Sequence, residues 1–200
     1  MKSNPARKIE EKIIYIALKL ARRGEGGLFL IVNGKKPSFK LLVKQNVKAF
    51  DVSQVKNEKL VESLATIDGA VVISKEGNLS AYGAMIKSTI AYKGFGTRHA
   101  AALSGSLNGN TCILSSEEER KVKIFKNGKY IMQLDALEKN IDKKVPAVSQ
   151  FFESIGAGFL GTIGAATLLP ALGITIIPGV IIFGGSYYAI KSILDKSGKK

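Results

Sequence analysis

The stretch that decides the reading is GFGTRHAAALSGS, residues 94–106, taken with the Asp68-Gly69-Ala70 triplet upstream. Gly94 and Gly96 allow a tight backbone that a ligand can approach closely. Thr97 suits a helix N-cap, and Ala100, Ala101, Ala102 and Leu103 are strong helix formers. The segment therefore predicts a glycine loop turning into a helix N-terminus. At such an end, N–H groups without helical partners and the helix dipole favour an anion. Arg98 adds a fork of donors, and His99, the single histidine of the chain, adds an imidazole. This is the chemistry of a phosphate site.

The flanking sequence alternates strand, turn and helix signals. Asn4-Pro5 is a good helix start, and Ile9, Ile13, Ile16, Ala17 and Leu20 repeat at helical spacing until Arg22-Arg23-Gly24 supplies a basic last turn and a stop. Leu28–Val32 is a continuous apolar run, as in a strand buried on both faces. Phe39–Val43 and Val47–Val52 are weaker strand candidates. Asn57 caps a predicted helix to about Thr66, with Leu60, Val61 and Leu64 facing inward. Ile67–Ile73 and Leu79–Ile86 read as strands, and Tyr82 and Tyr92 as core residues, with stacking on a base the alternative for each. Thr111–Ser115 is a short buried strand. Val122–Phe125 and Tyr130–Leu134 flank Asn127-Gly128, a strong hairpin signal. Asp135 is placed to cap a helix to about Ile141. The alternation argues for an α/β layered domain.

Three motifs lie in register along this framework: IDGAVVI at 67–73, GTRH at 96–99 and SSEE at 115–118. Together with ARRGEGGLFLIV at 21–32 they resemble the diadenylate cyclase (DAC) domain family over about residues 8–134. The resemblance implies a central mixed β-sheet flanked by helices. It also implies two ATP molecules condensing to cyclic di-AMP and two pyrophosphates across a face-to-face homodimer, with Mg2+ or Mn2+ as the divalent cation. By resemblance, Asp68 binds the cation and activates the ribose 3′-hydroxyl, while Gly69 and Ala70 leave room for the nucleotide. Gly96, Thr97, Arg98 and Ser116 serve the phosphates. His99 supports the metal or phosphate end. Glu117 or Glu118 assists the metal or the catalytic centre, and the sequence does not separate the two. Without the resemblance, Asp68 reads as an ordinary turn aspartate and Glu117–Glu119 as solvated loop charge. The chain departs from the family pattern at Ala100, where a second arginine is usual. That departure keeps open a degenerate sensor that binds ATP or cyclic di-AMP without turnover.

Composition narrows the remainder. The net charge is +14, most of it in residues 1–150. Such a balance suits polyphosphate, anionic lipid headgroups or nucleic acid. The lysines are scattered and lack aromatic interleaving, so no nucleic-acid partner is expected, and a basic DNA-touching scaffold is the lesser alternative. MKSNPARKIEEK lacks the apolar core and cleavage site of a secretory signal, and the single Cys112 reads as a buried bystander. Both place the catalytic domain, residues 1–141, in the cytoplasm.

Residues 142–153 read as a linker. Residues 154–190 carry no formal charge, more than one bilayer span needs, with Pro170 and Gly173 where a hairpin would turn. Lysines on both sides, including Lys143, Lys144, Lys191 and Lys196, put both flanks on the cytoplasmic side. Ala157, Gly161 and Ala165 form a small-residue stripe for close helix packing. The expectation is a transmembrane helical hairpin in the cell membrane followed by a basic tail, 191–200. A re-entrant hairpin, or a buried one in a soluble oligomer, is the alternative.

Overall fold

The computed structural model of the chain describes residues 5–89, 96–156 and 180–182. Helix α1 (Pro5–Arg23) opens on the proline and buries Ile9, Ile13, Ile16, Ala17 and Leu20 along one face, widened by Ile14, Leu18 and Ala21. It ends where Gly24 turns left-handed at φ 72°. The Glu25 N–H then reaches back to the Leu20 carbonyl, closing the helix end.

The strands follow as β1 (Gly27–Val32), β2 (Phe39–Leu41), β3 (Ala70–Ser74), β4 (Leu79–Ile86), β5 (Thr111–Ser116), β6 (Lys121–Lys126), β7 (Lys129–Asp135) and β8 (Val180–Ile182). Among the described residues they form one mixed sheet in the order β2-β4-β3-β1-β5-β6-β7-β8. Helices α2 (Glu58–Ala65), α3 (Thr97–Gly105) and α4 (Ile141–Gly156) complete the layers. The expected α/β domain with a central mixed sheet is what forms.

Period-two alternation divides the strands between two faces. Phe29 and Ile31 of β1, Val71 and Ile73 of β3, and Val122 and Ile124 of β6 join the core made with α1, α2 and α4. Leu28, Leu30, Ala70, Val72, Cys112 and Phe125 point the other way, onto Ala102 and Leu103 of α3. Strand β1 is therefore buried on both sides. Cys112 is fully buried, and its thiol is pushed well above its ordinary range by that burial.

Several expectations shift. Val47–Val52 is not a strand; only Asp51 makes an isolated bridge, to Asn78. Strand β3 begins at Ala70 and not at Ile67, because Gly69 has φ 99° and breaks the extended backbone. Leu60 is exposed, whereas Val61 and Leu64 are buried as expected. Tyr82 is a core residue whose hydroxyl accepts from the Asn46 N–H and donates to the Lys44 carbonyl. The Asn127-Gly128 hairpin forms, both residues having positive φ. Asp135 caps no helix: its carboxylate accepts from the Leu137 N–H, and a left-handed Asn140 delays the helix to Ile141.

The stretch read as a linker is helical, as the body of α4. Pro146 lies inside that helix and lacks the N–H that would reach the Asp142 carbonyl. The Tyr15 hydroxyl donates to this carbonyl at 3.0 Å instead, pinning α4 to α1. At Val180–Ile182 the chain forms an edge strand on β7 where a helical hairpin was expected. The rest of the expected hairpin, from 157 on, lies outside the described residues, as do Tyr92 and Gly94. Among the described residues no helix is long and apolar enough to cross a membrane.

A side chain at position 69 has no room. A Cβ there would lie 2.6 Å from the Gly83 carbonyl carbon, on a backbone already at positive φ. Gly69→Ala is expected to lower unfolding free energy by about 2 kcal/mol or more, measured by urea denaturation. A loss within error would show that β3 and β4 separate freely at this point.

Candidate active site

The register of the central strands gathers the motifs. Strand β1 runs parallel to β3, with Leu28 opposite Ala70, and antiparallel to β5, with Gly27 opposite Ser115. Asp68 and Gly69 just before β3, Gly26 and Gly27 at the start of β1, and Ser116–Glu118 at the end of β5 therefore share one end of the sheet. Neighbouring strands are about 4.8 Å apart, so the β3 and β5 ends lie roughly 10 Å from each other.

Two adjoining clefts open there. One, of about 650 Å³, is lined by Asp68, Gly69, Thr97 and Arg98 and walled by Leu28, Phe39, Leu42, Met85 and Ala101. The other, of about 260 Å³, is lined by Gly96, Thr97, Arg98, His99, Ser116, Glu117 and Glu118. Thr97 and Arg98 line both. The larger cleft is of the size that holds a nucleotide-sized ligand. Ala70 lines neither, being fully buried between β1 and β4. Its contribution is the smallness that lets these strands lie together.

Helix α3 points its N-terminus at the shared rim. Gly96, in extended conformation, is the N-cap, and Thr97 is the first helical residue and not the cap. The first helical bonds run from the His99 and Ala100 N–H groups to the Gly96 carbonyl. The amides of Thr97 and Arg98 precede them, at the positive end of the dipole. Arg98 pairs loosely with Glu117 at 3.8 Å, both half-exposed. An exposed pair of this kind is weak, so the guanidinium remains available to a phosphate. Its space is set by Gly26, where a Cβ would fall 2.2 Å from the Arg98 Nη1.

His99 is half-buried at the smaller cleft. Its Nε2 lies 2.9 Å from the Lys123 ammonium, which also donates to Glu119. Burial, and then Lys123, push the imidazole from its ordinary 6.5 down to about 4, with Glu119 opposing. Burial raises Glu119, but its hydrogen bond with Lys123 and the charges of Lys123, Lys121 and His99 together outweigh that and leave its carboxyl below the usual range. A nitrogen facing an ammonium is not offered to a metal, so a cation role for His99 would fall to Nδ1.

The carboxylates fit a cation better. Asp68 is exposed at the larger cleft, its Oδ1 accepting from the Gly69 N–H, and Glu117 and Glu118 are exposed at the smaller. Among the described residues no three His, Cys, Asp or Glu side chains form a ready-made metal cluster. Hard cations such as Mg2+ commonly take one or two carboxylates and complete their shell with substrate phosphate and water, and this donor set suits that arrangement.

The apolar wall of Phe39, Leu42 and Met85, and Lys123, are not legible as site residues in the sequence. The wall comes from an edge strand of three residues and its neighbour, too short for a periodic signal. Lys123 had one legible sign, a charge between Val122 and Ile124 in a strand.

The sequence pattern of the DisA bacterial checkpoint controller nucleotide-binding (DAC) family matches residues 17–130. The chain belongs to this family. The DAC domain is 30% identical over 141 residues to a diadenylate cyclase of Methanocaldococcus jannaschii, covering 62% of this chain and 45% of that protein. It is 32% identical over 141 residues to a diadenylate cyclase of Haloferax volcanii, covering 62% and 51%. The chain thus spans about half the length of the curated relatives it matches. Among solved structures, DacA from Staphylococcus aureus is similar at 17% identity with a TM-score of 0.46, over 75% of this chain and 93% of that one.

His99 provides a direct readout of this end of the DAC domain. The unfolded chain binds its proton near pH 6.5 and the fold only near 4, so the unfolded state holds more protons between those values. The stability from this residue is present above pH 6.5 and is lost as pH falls towards 4. A proton NMR titration of His99 should give a midpoint near 4, and His99→Gln should flatten that part of the pH–stability curve. A midpoint at 6.5 would contradict the buried, lysine-facing geometry.

Proposed function

We propose that the chain is a diadenylate cyclase. The observation that carries this reading is the meeting of Asp68, the α3 N-terminus with Arg98, and the Ser116–Glu118 carboxylate turn at one sheet end, around two clefts that share Thr97 and Arg98. The walls of the larger cleft suit a nucleoside, and the polar smaller cleft suits its phosphates. Family membership and the named cyclases among the relatives support ATP as the substrate.

The chemistry follows from where charge changes. Each ribose 3′-oxygen bonds to the α-phosphorus of the opposite nucleotide while the bond from that phosphorus to the bridging oxygen breaks, and pyrophosphate leaves. Asp68 accepts the 3′-hydroxyl proton. Thr97, Arg98 and the first amides of α3 hold the phosphate oxygens whose charge grows in the transition state. A bound Mg2+ or Mn2+, held by Asp68 and by Glu117 or Glu118, would neutralise phosphate charge and make that proton easier to lose. Closing a ring from two nucleotides needs two such sites facing each other, so the active form is a homodimer.

Anchoring in the cell membrane by the uncharged residues between α4 and β8, with the DAC domain on the cytoplasmic side, belongs to the same proposal. It rests on the uncharged length and its lysine flanks. Membrane pellets should keep the protein through high salt and alkaline carbonate, and release by salt alone would leave only a surface association.

The decisive assay incubates the full chain with ATP and Mg2+ or Mn2+ and identifies cyclic di-AMP by chromatography and mass. Asp68→Asn is expected to lower kcat by about 100-fold or more, and Arg98→Ala to raise KM for ATP. A folded protein that binds ATP without forming product would favour the sensor reading, for which Ala100 is the specific motive. Ala100→Arg would then be the variant to restore turnover.

A further inference from the structure

Strand β6 presents alternate residues to opposite faces of the sheet. Val122 and Ile124 enter the core against α1 and α4, and Phe125 enters the core against α3. Lys123 shares the parity of Phe125, and its side chain is only 3% exposed. A lysine buried this deeply is costly unless its charge is met by partners. Here the partners are the Glu119 carboxylate and the Nε2 of His99, at 2.9 Å from the ammonium.

The imidazole is held from a second side as well. The His99 ring meets Phe125 edge-on, centroids 6.2 Å apart at 83°. Phe125 in turn stacks on Tyr130 at 4.9 Å, and the Tyr130 hydroxyl donates to Gln133. The ring therefore has a fixed cation at Nε2 and a fixed aromatic neighbour set across it. An ammonium has three donors and no acceptor, so the ring nitrogen that faces it accepts. In a neutral imidazole the proton then resides on Nδ1.

We propose that Lys123 is a positioning residue: its buried ammonium, donating to Nε2, fixes His99 as the neutral Nδ1–H tautomer, which makes His99 a hydrogen-bond donor at the phosphate end of the site. His99 is in this arrangement neither a metal ligand through Nε2 nor a proton acceptor there. The ammonium also adds positive charge beneath the first turn of α3, where His99 lies beside Thr97 and Arg98 on the smaller cleft. The role of the donor rests on the reading that this cleft takes nucleotide phosphates; the tautomer itself does not.

Because His99 is the only histidine, its ring nitrogens are assigned without ambiguity. The full chain, labelled with 15N-histidine, is expected to show a protonated Nδ1 and an unprotonated Nε2 at pH 7.5 in long-range 1H–15N spectra. Lys123→Met should shift the ring towards the Nε2–H tautomer and lower kcat by about 10- to 100-fold, with KM for ATP within about threefold of the parent. Lys123→Arg keeps a cationic donor and should retain the tautomer and most of the activity. An Nε2–H tautomer in the parent protein overturns the assignment, as does a folded Lys123→Met with unchanged tautomer or unchanged kcat. If Lys123→Met does not fold, the spectra of the parent and of Lys123→Arg decide. A parent protein with the Nδ1–H tautomer and no turnover overturns the cyclase reading and leaves the positioning role of Lys123 standing.

Discussion

Everything in this domain depends on strand β1 being buried on both faces while pairing parallel with β3 and antiparallel with β5. Double burial requires helices above and below, which α1, α2 and α4 supply on one side and α3 on the other. Mixed pairing has a consequence for chemistry. Parallel pairing sets the start of β3 beside the start of β1, and antiparallel pairing sets the end of β5 there too. Segments nearly fifty residues apart in sequence, Asp68 and Ser116, thus reach one edge. An all-parallel sheet would have sent the end of β5 to the opposite side.

The fold also explains why small residues cluster at that edge. Gly69 sits against the Gly83 backbone, Ala70 is sealed between two strands, and Gly26 leaves the volume that the Arg98 guanidinium fills. These positions make the strand ends close enough, and open enough, for a ligand to lie over them. The helix dipole of α3 and the guanidinium then supply a positive rim opposite exposed carboxylates. Phosphate and a hard cation are the partners such a mixture of charges can hold together.

Beneath the rim, polar groups are placed under different rules. Lys123, Glu119 and His99 form a connected set with Phe125 as its wall. Lys123 is buried and His99 half-buried, so taking a partner from either would be costly. That cost confers orientation: a ring with a fixed donor nitrogen differs chemically from a ring free to turn.

The chain order of the elements, the doubly buried β1, the Asn127-Gly128 hairpin and the loop-to-helix passage at Thr97 were legible in the amino-acid sequence, because periodicity, glycine placement and turn chemistry are local. So were Asp68, Thr97, Arg98 and Ser116–Glu118 of the candidate site, through motifs whose spacing survives in the linear chain. Other features were not local. A left-handed Asn140 postponed α4, a tyrosine from α1 made Pro146 tolerable inside it, and Gly69 cut β3 short of Asp68. Which wall meets the larger cleft, and what faces Nε2 of His99, depended on strands that pair across the sheet. Sequence patterning decides which face of an element is apolar. Only packing decides which groups of other elements that face, and the polar residues embedded in it, come to meet.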